Sequence, residues 1–220
     1  WNTANITVDG TISVELDMDY WLESDSGSWD SSHYILLTHP TPDSIIRFGY
    51  SVDISGDTAI VGGFGSVLIF EKTGSKWNTT PVVELFDPLP SSIQGGHFGY
   101  SVAIDGDVAI VGAYSDYNMT GAAFIFEKSG SVWNNVPVAQ FTHPSPHPRT
   151  DYSMFGASVA IDGNIAIVGA PGTQPSWRGS AFIYEKTVDG WERYETDLGT
   201  VWGFPGSNAK LGSSVAIDGN

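Results

Sequence analysis

Apolar residues along this chain come in short alternating runs, and the runs come in pairs. At 101–104 the order Ser-Val-Ala-Ile puts Val102 and Ile104 on one side of an extended segment, because side chains alternate faces along a strand. Asp105-Gly106 follows, and Ala109–Gly112 returns as a second apolar run. Two such runs around an Asp-Gly pair predict a β-hairpin. After a loop, Ala122–Lys128 forms a third run; a glycine-containing turn and Trp133 then lead to a fourth, Val136–Thr142. No apolar series at three- and four-residue spacing competes with this reading, so the chain is expected to be all-β.

The same unit recurs. FGYSVDISGDTAIVGGF opens at Phe48, FGYSVAIDGDVAIVGAY at Phe98 and FGASVAIDGNIAIVGAP at Phe155, with a weaker start at Leu211. Each complete copy continues into an aromatic-rich run: VLIFEK at 67–72, AAFIFEK at 122–128 and SAFIYEK at 180–186. A tryptophan follows six residues after each glutamate, in the pairs Glu71/Trp77, Glu127/Trp133 and Glu185/Trp191. Glu23 and Trp29 keep that interval, which exposes a worn copy near the N-terminus with its hairpin over 6–16. Thr38-His39-Pro40 follows Trp29 at the distance at which Thr142-His143-Pro144 follows Trp133. The chain therefore divides into repeats at 4–47 (degenerate), 48–97, 98–154 and 155–210, with 211–220 opening a fifth, inside a single domain over 1–220.

Each unit has bulky apolar residues on both faces, in the second copy Val102, Ile104, Ile110, Phe124 and Phe126. A sheet apolar on both sides must lie between two others, and radial packing of equal sheets meets that need. The expected architecture is a β-propeller of four-stranded antiparallel blades. Ser101 and Ala103 suit the crowded innermost strand, Gly99 a positive-φ bend into the blade, and Phe98 the wedge between blades.

The Phe-Gly pairs 48–49, 98–99 and 155–156, together with Gly169-Ala170-Pro171, resemble the FG-GAP repeat, the unit of the integrin α-chain propeller. Copies one and two have Gly62-Gly63-Phe64 and Gly112-Ala113-Tyr114 in place of the second motif. The resemblance is strong over 48–220 and weak over 4–47. It implies a propeller, usually seven-bladed, that recognises proteins or glycans outside the cell. About four blades of such a ring are expected here, and Asn220 falls within a hairpin, which points to part of a longer protein.

Composition narrows the partners. Nine basic against 25 acidic residues give a net charge of −16, which repels phosphate backbones and anionic membranes and sets nucleic acid aside. No apolar run reaches the ~18 residues of a membrane span, so no direct insertion is expected. There is no cysteine, hence no disulfide or thiolate metal site. Three sequons, at Asn5, Asn78 and Asn118, make glycosylation and an extracellular location, secreted or at the cell surface, the expectation.

Candidate chemistry is sparse. Ser55-Gly56-Asp57, Asp105-Gly106-Asp107 and Asp162-Gly163-Asn164 are tight turns that offer too few of the ~6–8 oxygens calcium takes. Asp116, Asn118 and Thr120 mimic half a calcium loop but lack its distal carboxylate, so no cofactor is expected and these remain weak metal candidates. Prolines 144, 146 and 148 keep His143 and His147 off a helix. Glu23, Glu71, Glu127 and Glu185 are expected to face solvent or pair with Lys72, Lys128 and Lys186. No thiol nucleophile, G-x-S-x-G elbow or recurring His–acid pair is present, so the chain is read as non-catalytic. The loop between strands two and three varies most: copy two carries Tyr114 and Tyr117, copy three Trp177 and Arg178, and copy one Phe64 alone. These residues are expected on one face, where Arg and aromatics favour recognition. The expected role is an extracellular module for protein or glycan recognition, adhesion or assembly, with other proteins, glycans or copies of itself as partners. The alternatives are an accessory propeller of a secreted carbohydrate-active hydrolase and a subunit of a surface filament.

Overall fold

The computed structural model describes residues 35–41, 47–89, 97–115, 120–144, 152–173, 179–194 and 210–219, and the backbone of 5–8 and 12–15. All regular structure among them is β. A first sheet joins β1 (Asn5–Val8), β2 (Ile12–Glu15) and β3 (Leu36–Leu37). The second contains β4 (Ser51–Ser55), β5 (Thr58–Gly62), β6 (Ser66–Thr73), β7 (Lys76–Trp77) and β8 (Val83–Phe86). The third contains β9 (Phe98–Asp105), β10 (Val108–Ala113), β11 (Ala122–Ser129), β12 (Val132–Trp133) and β13 (Ala139–Thr142). The fourth is β14 (Ser158–Asp162), β15 (Ile165–Ala170), β16 (Ser180–Thr187) and β17 (Gly190–Arg193). Every pairing within the sheets is antiparallel, and the sheets stack as blades of a partial β-propeller.

Blade two and blade three each carry a fourth strand in two pieces. β7 and β8 both pair with β6, and β12 and β13 both pair with β11. The break falls at Asn78-Thr-Thr-Pro81 and Asn134-Asn-Val-Pro137, where proline cannot donate to the ladder.

Packing between blades accounts for the motif. Phe98 is fully buried, in one cluster with Ile60, Val67 and Ile69 of the preceding blade and Val111, Phe124 and Phe126 of its own. Phe155 does the same at the next seam, against Ile110 and Ile125 on one side and Phe182 and Tyr184 on the other. Gly99 and Gly156 adopt φ of 86° and 85°, a region open to glycine. The Ser51, Ser101 and Ser158 hydroxyls each donate to the carbonyl of the next blade's glycine, Gly99, Gly156 and Gly212, at 2.8 Å. A small innermost residue is thus required by a hydrogen bond as well as by space. Leu211 forms a parallel bridge with Gly179, as Phe155 does with Gly121, so residues 210–219 seat on blade four as each blade seats on the one before.

The recurring glutamates pair across seams. Glu71 accepts from Trp133 Nε1 at 2.9 Å and meets Lys128 at 2.8 Å. Glu127 accepts from Trp191 Nε1 at 3.0 Å and meets Lys186 at 3.0 Å. Each glutamate therefore serves the following repeat, while Lys72 turns to Asp57 at 3.4 Å. Of the two expectations for these carboxylates, solvent or a lysine partner, Glu71 and Glu127 follow the second, with Lys128 and Lys186 of the following repeat. Glu23 lies outside the described residues, and the buried Nε1 of Trp77 has no acceptor among those described.

Candidate functional site

Antiparallel pairing puts the start of each first strand and the end of each second strand at the same end of the blade. Phe64 and Tyr114 follow β5 and β10, and both lie at this end together with Tyr50, His97 and Tyr100. The rings form one connected row: Tyr50–Phe64 4.8 Å, Tyr50–Tyr100 4.9 Å, Phe64–His97 4.8 Å, His97–Tyr114 4.9 Å and Tyr100–Tyr114 4.4 Å between centroids. The Arg47 guanidinium lies 4.9 Å from the Phe64 centroid, within cation–π range. Tyr50 is 44% exposed, Arg47 is exposed, and the other four rings are half-buried. A row of this kind is apolar surface that the fold leaves uncovered.

Local backbone geometry fixes the row. Arg47, His97, Met154 and Lys210, each just before a Phe-Gly or Leu-Gly pair, have φ of 48°, 56°, 54° and 51°. Non-glycine residues rarely hold that conformation, and it costs of order 1 kcal/mol at each site. Four equivalent positions carry it, so the fold imposes it. It turns each side chain out of the blade at the loop end, beside the residue after the glycine: Tyr50, Tyr100, Ala157 and Ser213.

Contacts within the row shift its ionisation. The Tyr100 hydroxyl is pushed up to about 12, chiefly by its hydrogen bond with Tyr50 and then by burial. Burial raises Tyr114 as well. His97 is lowered by burial and by Arg47, and its Nδ1 contacts the Ser115 hydroxyl. Near neutral pH Tyr100 and Tyr114 are uncharged hydrogen-bonding groups on an aromatic platform. Beyond Tyr100 the row opens into a shallow pocket of about 250 Å³, lined by Tyr100, Met154, Ala157, Pro171, Lys210 and Ser213.

Of the sequence-derived face residues, Phe64 and Tyr114 meet through Tyr100 and His97, with Phe64 in the middle of the row. Tyr117, Trp177 and Arg178 lie outside the described residues, as do Asp116 and Asn118. Thr120 is described, and its carbonyl accepts from Phe155 N and from the Ser153 hydroxyl. Among the described residues, no group of three or more His, Cys, Asp or Glu side chains is placed to hold a metal, and no helix is long and apolar enough to cross a membrane. The hairpin-turn aspartates bind backbone across the seams instead. Asp105 accepts from Gly163 N at 2.7 Å and Asp162 from Gly219 N, each on the neighbouring blade.

Asn5 sits in β1. Asn78 sits in the break between β7 and β8, where its amide donates to Thr73 Oγ1 at 3.0 Å. Asn134, in the equivalent place without a sequon, donates to Ser129 Oγ at 3.0 Å. His39 is buried among Ser66, Glu84 and the Phe48 ring, and His143 packs edge-on against Phe155 and Phe182. Both histidines are seam residues.

Sequence reasoning missed Arg47, Tyr50, His97 and Tyr100. A signal was present: the positions flanking the constant Phe-Gly read Arg, His, Met, Lys before it and Tyr, Tyr, Ala, Ser after it. Variation on either side of an invariant pair marks side chains that the fold leaves free to differ.

The FG-GAP repeat family matches residues 94–126 and 149–184, the segments that supply β9–β11 and β14–β16. No curated protein matches the chain.

Proposed function

We propose that this FG-GAP repeat protein is a non-catalytic, extracellular recognition module whose binding face is the end of the propeller bearing the loops between second and third strands. One observation carries the reading: five aromatic rings from two blades form a continuous, partly exposed row there, flanked by cationic side chains. Rings that only completed a core would be buried as Phe98 and Phe155 are. Aromatics and arginine supply most of the energy at recognition surfaces, about 2 kcal/mol or more for a central anchor. The sequons at Asn78 and Asn118 support the extracellular location.

The test is to probe arrays of glycans and extracellular proteins with the wild type and with a Tyr100→Ala/Tyr114→Ala variant, following thermal unfolding in parallel. Binding lost at an unchanged unfolding temperature supports the reading. Binding retained by the double variant moves recognition elsewhere. Mass spectrometry of the natural protein decides the location separately: unmodified Asn78 and Asn118 in a eukaryotic host count against it.

A further inference from the structure

We infer that the ligand of this face is a glycan bearing an acidic sugar, with its pyranose ring in the pocket beside Tyr100 and its carboxylate or sulfate on Lys210; this rests on the recognition reading above. Four observations converge. The pocket of about 250 Å³ has room for one sugar ring. Its wall is shared by an aromatic residue, Tyr100, and small residues, Ala157 and Ser213. The aromatic row continues from Tyr100 to Tyr50 and Phe64, so neighbouring sugars of a chain have further rings to lie on. Two exposed cations serve the surface, Lys210 at the pocket and Arg47 over Phe64.

Among the described residues no carboxylate lines the pocket, although the chain carries a net charge of −16. Among the described residues, Asp57, Asp105, Asp107, Asp162, Asp189 and Asp218 all lie at the opposite, hairpin-turn end of the blades. Strands of five to six residues separate the two ends by roughly 17–20 Å. The Debye length is about 8 Å at physiological ionic strength, so that distant charge is largely screened at the pocket. Asp87, the described carboxylate nearest the loop end, turns inward: Oδ1 accepts from Leu89 N and Oδ2 is buried. Among the described residues, Lys210 is the one charged side chain that lines the pocket. A charge-assisted hydrogen bond from its ammonium is strong enough to separate an acidic sugar from its neutral twin by about tenfold.

The experiment compares methyl glucuronide with methyl glucoside, which differ only at C6, by NMR titration of the whole chain, with methyl glucoside 6-sulfate as the sulfate source. In about 20 mM NaCl the glucuronide is expected to bind about tenfold tighter than the glucoside and to shift the Tyr100, Lys210 and Ser213 amides. In about 300 mM NaCl the gap narrows. Lys210→Gln, which removes the charge and keeps a polar side chain one atom shorter, should reduce the glucuronide to the glucoside's affinity. Tyr100→Ala should remove both sugars, while Tyr100→Phe retains stacking and controls for folding. A preference for the sulfate over the carboxylate identifies a sulfated glycan as the source and supports the inference equally. Equal binding of acidic and neutral sugars, binding unchanged in Lys210→Gln, or no binding of any of the three overturns it. Those failures leave the recognition reading standing or falling on the array experiment alone.

Discussion

Single side chains on this chain act mostly at a distance of one whole repeat. The constant interval between glutamate and tryptophan was legible in the sequence, but its meaning was not: the indole that satisfies Glu71 is Trp133, in the next blade, whereas the nearby Trp77 points elsewhere. Local spacing reported the period of the fold and concealed the partner. Removing Glu71 leaves the buried Trp133 N–H and the largely buried Lys128 ammonium without their acceptor. Glu71→Ala should therefore cost about 1–3 kcal/mol in urea unfolding. Glu71→Gln, which keeps an acceptor for the indole, should cost less than Glu71→Ala, and equal losses would assign the effect to charge alone. The aromatic row makes a spectroscopic prediction. Ultraviolet titration should show one tyrosine ionising at about pH 12, against 10 for its free state. Tyr50→Phe should bring that step down by removing the hydrogen bond that is its first cause. The folded state holds this proton more tightly, so the contribution is complete below about pH 10 and is lost as pH rises through about 12.

Within a blade, the hairpins were readable because Asp-Gly turns and alternating apolar residues are local signals. The broken fourth strands were less readable, since Trp77 and Trp133 each end a two-residue strand that pairs only with the far end of its neighbour. Glycine shows the contrast between local and non-local causes most sharply. Gly106 has φ of 54° and open space around a would-be Cβ, so turn geometry explains it. Gly112 does not have a left-handed conformation, yet a Cβ there would lie 2.1 Å from the Gly156 carbonyl oxygen and 2.3 Å from Ser101 Oγ. Its constancy among the copies reflects the approach of the next blade, which no local pattern announces. Gly106→Ala should cost about 1 kcal/mol, the strain of a left-handed non-glycine residue. Gly112→Ala should cost more, about 3 kcal/mol, because backbone must move to admit the methyl group. Calorimetry of the two variants checks the order. A reversal would mean that blades are not held as closely as the Ser101–Gly156 hydrogen bond requires.

On the scale of the whole molecule, the repeat predicted stacked sheets, and it did so for a physical reason: a sheet apolar on both faces has nowhere else to go. The aromatic end was only half legible, because the loops that drew attention by their variation contribute Phe64 and Tyr114, while the row that joins them comes from residues beside the motif. Charge is the remaining global property. The stacked turn ends gather Asp57, Asp107, Asp162 and Asp189 on one side of the molecule, and like charges so arranged oppose the compact state. Against this stand the ion pairs Glu71–Lys128 and Glu127–Lys186, which salt also weakens. The pairs are few, partly buried and therefore less screened, and are worth about 0–1 kcal/mol each if treated as exposed. Repulsion among turn ends is exposed, and a Debye length of about 30 Å at 10 mM salt lets every turn act on the others, against about 6 Å at 300 mM. Relief of repulsion should win. The unfolding temperature is expected to rise between those two salt concentrations. Asp107 and Asp189, both exposed, can be replaced by asparagine without removing the Lys72–Asp57 pair. The Asp107→Asn/Asp189→Asn variant should melt higher than the wild type at low salt and respond less to added salt. A fall in melting temperature with salt would show that the seam ion pairs, and not the turn ends, govern the electrostatics of the ring.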